Sequence, residues 1–256
     1  MAAELDFSGK TALVTGAASG IGAACARWLD AHGVAKLVLI DIDRGALDRL
    51  DLSCEVQPIG GDVSESALWA LHLREAGRID CAVLNAGIID EFEIADGDLP
   101  RWRKVMSVNL DGAYLGLRAM MKRMRAQDGG GSIVLTASAT ALRSSRGTAA
   151  YSVSKAGVIQ LAKVAAKEGA RDNVRVNAIA PGGVDTKIWD TTSVFEKLTA
   201  EGGSREEAID AMARMATPSG RWARPEEIAG QIGFLLSDMA ATMTGAVLVS
   251  DGGYTV

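Results

Sequence analysis

Short apolar runs alternate along this chain with longer stretches in which apolar residues recur at helical spacing. The runs Lys10–Thr15, Lys36–Ile40, Glu55–Ile59, Ile79–Leu84, Ser132–Thr136, Val174–Ile179 and Ala246–Ser250 are too short for buried helices, and most are continuously apolar, as strands covered on both faces are. Between them, Ala23–Ala31, Ala67–Ala76, Leu99–Arg125, Ala149–Glu168 and Pro225–Leu236 read as helices. Pro100 stands at a first-turn position, Thr148 is placed to cap its helix, and Gly169 and the polar turn at 171–173 stop it. Strand and helix in regular alternation predict an α/β fold with a largely parallel sheet.

The length of 256 residues and a hydrophobic fraction of 48% suit one large domain over 1–256, with no seam along it. Residues 187–217 break the alternation: they are polar, with Trp189, Phe195, Met212 and Met215 among the charges, and are expected to form a lid over a cleft. A net charge of -5 and no lysine or arginine block exclude nucleic acid as a partner. No run approaches the roughly 20 apolar residues of a membrane span, and the acidic start at 1–6 does not read as a leader. Cys25, Cys54 and Cys81 have no paired spacing and are expected to be reduced thiols in a cytoplasmic protein. With His32 and His72 the only histidines, no metal site and no Ser-His-Asp hydrolase is expected.

Chemistry concentrates where strands end. Thr15 runs into Gly16-Ala17-Ala18-Ser19-Gly20-Ile21-Gly22 and then a helix. Strand, glycine turn and helix form half of a mononucleotide-binding unit, in which the backbone approaches a pyrophosphate at the helix N-terminus. Asp41 ends the second strand, where a carboxylate accepts hydrogen bonds from ribose hydroxyls and repels a 2′-phosphate, so NAD is expected over NADP. Arg44, three residues on, is the feature that would argue for the phosphate. Asp62 and Val63 follow the third strand at the expected adenine position, Asn85-Ala86-Gly87 closes the fourth, and 181–186 closes the sixth on the nicotinamide side. Tyr151 and Lys155, four apart on one helix, share a face. An ammonium beside a phenol stabilises the phenolate and is expected to draw its pKa of about 10 toward neutrality. Ser138 lies past the fifth strand, either a turn residue or a hydroxyl in the same crevice. Asn109, inside the long helix, reads on its own as a satisfied amide.

Taken together, Thr15-Gly16-x-x-x-Gly20-Ile21-Gly22, Asn85-Ala86-Gly87, Asn109, Ser138, Tyr151-x-x-x-Lys155 and Pro181-Gly182 resemble the motifs of the short-chain dehydrogenase/reductase family, in identity and in order, over essentially the whole chain. The resemblance implies a single Rossmann-type doubly wound domain with a seven-stranded parallel sheet. It also implies a homotetramer packed through the helices at 100–125 and 148–169. It makes Tyr151 the general acid/base, Lys155 the group that tunes it and holds the nicotinamide ribose, Ser138 the donor to the substrate oxygen and Asn109 the holder of a relay water. The implied cofactor contacts are Gly16, Ser19, Gly20, Ile21, Gly22, Asp41, Ile42, Asp62, Val63, Asn85, Ala86, Gly87, Tyr151, Lys155, Pro181, Gly182, Val184 and Thr186. The expected activity is NAD(H)-dependent interconversion of a small secondary alcohol and a ketone. Alternatives are an NADP(H)-dependent carbonyl reductase, and a dinucleotide-binding scaffold without turnover; epimerases with the same Tyr and Lys have longer chains and other glycine spacing. For the substrate, Trp189, Phe195, Leu142 and Met215 suggest an apolar pocket, and Arg143 and Arg146 a carboxylate contact or simply surface charge.

Overall fold

The computed structural model describes residues 5–72, 76–200 and 203–256. The seven apolar runs become β1 (Thr11–Thr15), β2 (Lys36–Asp41), β3 (Glu55–Gly60), β4 (Cys81–Leu84), β5 (Gly131–Thr136), β6 (Val174–Pro181) and β7 (Val247–Ser250). They form one sheet in the order β3-β2-β1-β4-β5-β6-β7, with all pairs parallel. Successive side chains of a strand point to opposite faces, so each run feeds two cores. Leu13, Ile133 and Leu135 pack on one face, where α5 (Gly112–Met124) and α6 (Ala149–Gly169) add Met120, Met124, Val158 and Ala162. Val14, Val83 and Val134 pack on the other, against Leu29 of α1 (Gly20–Ala31) and Ile228, Ile232 and Leu235 of α9 (Pro225–Leu236).

Between β1 and β4 the chain's order across the sheet reverses, since β1 pairs with β2 on one side and β4 on the other. This switch point opens a crevice at the strands' carboxyl ends. Two short helices, α2 (Arg44–Leu47) and α3 (Ser66–His72), follow β2 and β3; part of the helix expected over Ala67–Ala76 lies outside the described residues.

The helix expected over Leu99–Arg125 is not continuous. Asp98 caps α4 (Leu99–Met106) by accepting from Arg101 N–H at 2.8 Å, and Pro100 sits in its first turn. Ser107–Asp111 is then a π-helical segment before α5 begins. The 187–217 segment expected to form a lid contains a 3₁₀ turn at Lys187–Thr191, α7 (Ser193–Ala200) and α8 (Arg205–Ala216), the last opened by a reciprocal Ser204–Glu207 capping box. Residues 201 and 202 of the expected lid lie outside the described residues. Among the described residues, no helix is long and apolar enough to cross a membrane.

Candidate active site

The crevice is a cleft of about 720 Å³. Its floor is the glycine turn. Gly16 and Gly20 adopt left-handed φ of 64° and 51°, and a Cβ on Gly22 would stand 2.0 Å from the Gly16 carbonyl oxygen. Only glycine at 22 lets α1 start this close to β1, and Gly22 is correspondingly buried beneath the cleft. Ser19 holds the extended conformation of a capping residue, yet its side chain makes no cap bond. The first turn of α1 therefore presents its N–H groups and positive dipole end to the cleft, as an anion site requires. Thr15 Oγ1 accepts from the backbone N–H of Asn85 and Ala86 at 2.9 and 3.1 Å, tying β1 to β4 across the switch point.

At the far end of β2, Asp41 accepts from Ala18 N–H (2.9 Å) and Asp43 N–H (3.0 Å), one bond to each carboxylate oxygen. The carboxylate is thereby fixed against the glycine turn, with lone pairs left for hydroxyl donors. Arg44 is engaged elsewhere, pairing with Asp48 at 3.1 Å. Asp62 accepts from Ser64 and, with Ile42 and Val63, lines the cleft nearby. Ser19, Gly20, Ile21, Ala86, Gly87, Pro181, Gly182, Val184 and Thr186 line it too, with the Thr186 methyl over Gly20. Every residue expected to touch a dinucleotide thus borders the crevice, except Gly22, which shapes it from below.

The residues expected to be catalytic in the cleft come from two elements. Ser138 follows β5, and Tyr151 and Lys155 project from α6 into the same cleft. Lys155 is 4% exposed, and burial without a carboxylate partner lowers its pKa to about 8. Its ammonium donates to the Thr136 carbonyl at 2.8 Å and lies 5.8 Å from the Tyr151 ring centre. This corrects the expectation of an acidified phenol: burial raises the Tyr151 pKa above its ordinary value, and the facing Ser138 hydroxyl draws it only partly back. In this arrangement the phenol stays protonated at neutral pH.

Asn109 lies beside the site without bordering the cleft. It is 1% exposed, and its amide accepts from Ile88 N–H (2.8 Å) and donates to Ile88 C=O (2.9 Å) and Ser154 Oγ (3.1 Å). A methyl on Gly87 would meet both Asn109 Oδ1 (3.3 Å) and Lys155 Nζ (3.2 Å), so the glycine is what lets amide and ammonium converge. One lone pair of Oδ1 is left for a bridging water.

Three of the four side chains proposed for the substrate pocket do not reach it. Phe195 packs into a cluster formed by the 187–217 segment and Trp222, with Ile209 and Met212, while Met215 is 70% exposed and Leu142 also faces solvent. Trp189 alone of that group lines the cleft, its ring tilted against Trp222 at 4.4 Å and its indole N–H donating to the Val184 carbonyl. The arginines are engaged as well: Arg146 pairs with Glu93 at 2.6 Å, and Arg143 donates to the carbonyls of Tyr254 and Val256. Ile88, Ile89, Asp90, Lys104, Val108, Lys187 and Ile188 border the cleft unforeseen; Ile88 and Ile89 follow directly on Asn85-Ala86-Gly87, which could have pointed to them.

Comparison with known proteins agrees with this geometry. The model of the family described as Enoyl-(Acyl carrier protein) reductase matches residues 16–255. The chain is 38% identical to cis-4-hydroxycyclohexanecarboxylate dehydrogenase of Sinomonas cyclohexanicum, covering 97% of this chain and 98% of that protein. It is 36% identical to D-threitol dehydrogenase of Mycolicibacterium smegmatis over 100% and 97% of the two chains. Among solved structures, L-sorbose reductase of Gluconobacter frateurii, complexed with NADPH and L-sorbose, superposes with a TM-score of 0.91 at 29% identity over 98% of each chain. Motif order, sheet topology and full-length relatedness converge: the chain belongs to the short-chain dehydrogenase/reductase family of oxidoreductases.

Proposed function

We propose that the protein is an NAD(H)-dependent oxidoreductase interconverting a secondary alcohol and a ketone on a small polyol-like or alicyclic molecule. The observation that carries the reading is the convergence of Ser138, Tyr151 and Lys155 in one cleft with a glycine cradle and a fixed carboxylate at its other end. The residues fit a nicotinamide dinucleotide: the uncapped turn of α1 would take the pyrophosphate, Asp41 the adenosine ribose, and Lys155 the nicotinamide ribose. When bound, that group supplies the hydride. The chain's own part is to place the substrate and move one proton. Ser138 donates to the substrate oxygen and fixes its position. Tyr151, a phenol that is protonated at neutral pH, gives its proton to the oxygen as the carbonyl is reduced. Ser138, whose hydroxyl draws the phenol's pKa down, would steady the phenolate left behind, and a water on Asn109 Oδ1 would return the proton from solvent. Trp189 and Ile188 exclude water from the substrate end.

Tyr151→Phe tests this. It removes the proton donor without changing the cradle, so turnover of ketones by NADH falls about a hundredfold to ten-thousandfold while NADH binding, measured by fluorescence, is kept. Turnover surviving in that variant removes the role. Relatives among the threitol, sorbose and hydroxycyclohexanecarboxylate enzymes set the first substrate panel.

Two features support NAD over NADP: Asp41, whose carboxylate at the end of β2 would repel a 2′-phosphate, and Arg44, which pairs with Asp48. The expected result is kcat/KM for NADH exceeding that for NADPH by at least about tenfold, one like-charge contact being worth more than roughly 1.4 kcal/mol; Asp41→Ser narrows the gap. A preference for NADPH in the wild type defeats the argument. The homotetramer is proposed with it: Tyr114 and Val164 on α5 and α6 are about half exposed, apolar surface that packing through those helices would cover.

A further inference from the structure

The segment between Ser138 and Tyr151 carries both reactive hydroxyls at its ends, so its shape sets their separation. It starts as a 3₁₀ turn at Ala139–Ala141, and Arg143 N–H donates back to the Ala139 carbonyl at 3.0 Å. At its other end the Ser145 carbonyl accepts from Thr148 N–H (3.3 Å) and Thr148 Oγ1 (2.8 Å). Thr148 in turn precedes α6, whose third residue is Tyr151. Arg143 and Ser145 are therefore the points from which both catalytic ends are held.

The same two residues are gripped by the end of the chain. Tyr254 OH lies 2.6 Å from Ser145 Oγ and donates to the Arg143 carbonyl at 3.1 Å. The Arg143 guanidinium covers the Tyr254 ring at 5.3 Å and donates to the Tyr254 and Val256 carbonyls. The tail delivering Tyr254 is itself rigidly founded. Asp251 accepts from Gly253 N–H, Thr255 N–H and Thr255 Oγ1, and Tyr254 N–H donates to the Asp251 carbonyl. Asp251 also packs on the cofactor-side loop so closely that a Cβ on Gly182 would meet its Cα at 2.7 Å. From the lid's end, Ser219 N–H donates to the Gly252 carbonyl at 3.0 Å.

We propose that Tyr254 is a positioning residue: its hydroxyl fixes the 139–148 segment and so holds Ser138 and Tyr151 at their working separation, with the Asp251 tail as the strut that refers this segment to the Pro181-Gly182 loop. This rests on the reaction proposed above. The segment is braced on its other side by Arg146–Glu93 and by Phe92 N–H to the Gly147 carbonyl at 2.9 Å, so loss of the tyrosine hydroxyl loosens it without releasing it.

The test compares wild type, Tyr254→Phe, Ser145→Ala and the double variant. Steady-state reduction of a ketone by NADH, NADH affinity, melting temperature and amide hydrogen exchange of peptides covering 139–150 are measured. Tyr254→Phe is expected to lower kcat/KM about threefold to tenfold, the combined effect of its two solvent-exposed hydrogen bonds, with NADH affinity and melting temperature unchanged and exchange in 139–150 accelerated. The double variant loses no more than the worse single one, because both remove the same bond. Wild-type kcat/KM and exchange in Tyr254→Phe, or losses that multiply in the double variant, overturn the proposal. If the wild type turns over no ketone or alcohol, the proposed function fails, and the exchange of 139–150 still decides the fixing of the segment.

Discussion

Tyr151 and Lys155 show how a pair legible from spacing takes its electrostatics from its surroundings. Four-residue spacing puts both on one face of α6, as expected, but the ammonium turns to the Thr136 carbonyl and burial acts on each group separately. Desolvation disfavours the charged form, so the phenol moves up and the ammonium down. For Lys155 the consequence is a pH-dependent stability. Its folded value, about 8, lies below the roughly 10.4 of an unfolded lysine, so between those values the unfolded chain binds more protons and stability rises with pH. Relative to Lys155→Met, which has no such proton, the wild type gains up to about 1.4 kcal/mol per pH unit from pH 8 to 10 and nothing below pH 7. Chemical denaturation of both proteins across that range measures it; parallel curves for the two would show that the ammonium is not desolvated.

At the level of elements, the strands and most helices could be read from the chain because their signal is local. A strand buried on both faces must be apolar throughout, and Asp98 with Pro100 marks a helix start in sequence. The π segment at 107–111 left no such mark. Inserting one residue into a turn barely alters the apolar spacing of the helix around it, and the reason for the insertion lies 21 residues earlier, at Ile88. The wider turn carries the Asn109 amide to both backbone groups of Ile88, holding the loop after β4 against the cleft; π segments recur at functional sites. Asn109→Ala should leave those part-buried groups unpaired and cost about 2 to 6 kcal/mol of unfolding free energy, at roughly 1 to 3 kcal/mol for each partner lost. A urea titration of wild type and variant gives the difference, and a change below about 0.5 kcal/mol would mean water replaces the amide.

In the molecule as a whole the sheet's carboxyl ends face the 187–217 segment, the proposed lid, which has an apolar core of its own, and this is why the substrate end was the least legible part. Sequence offered Phe195 as a pocket residue and Met212 as part of a lid's apolar face, because both are apolar in a polar stretch. They are instead the means by which the lid holds itself together, and Trp189, tilted against Trp222, is what it turns toward the cleft. Which apolar side chains face inward depends on how α7 and α8 fold back, and besides the apolar cluster one cation ties that arrangement to the wall of the cleft. Arg205 of α8 reaches Asp185 at 2.7 Å, Asp190 at 3.1 Å and the Thr186 carbonyl at 3.1 Å. Thr186 is the residue whose methyl lies over Gly20, so the arginine couples the lid to the wall of the dinucleotide cleft. A planar fork serving three acceptors cannot be reproduced by an ammonium. Arg205→Met is therefore expected to speed NADH dissociation about threefold to tenfold in stopped-flow displacement, lid opening being a common limit on release, and Arg205→Lys should fall between. The chemical step is left alone, so a single-turnover rate at saturating NADH stays at the wild-type value. Slower hydride transfer with unchanged NADH release would show instead that the arginine shapes the substrate pocket and does not govern the lid.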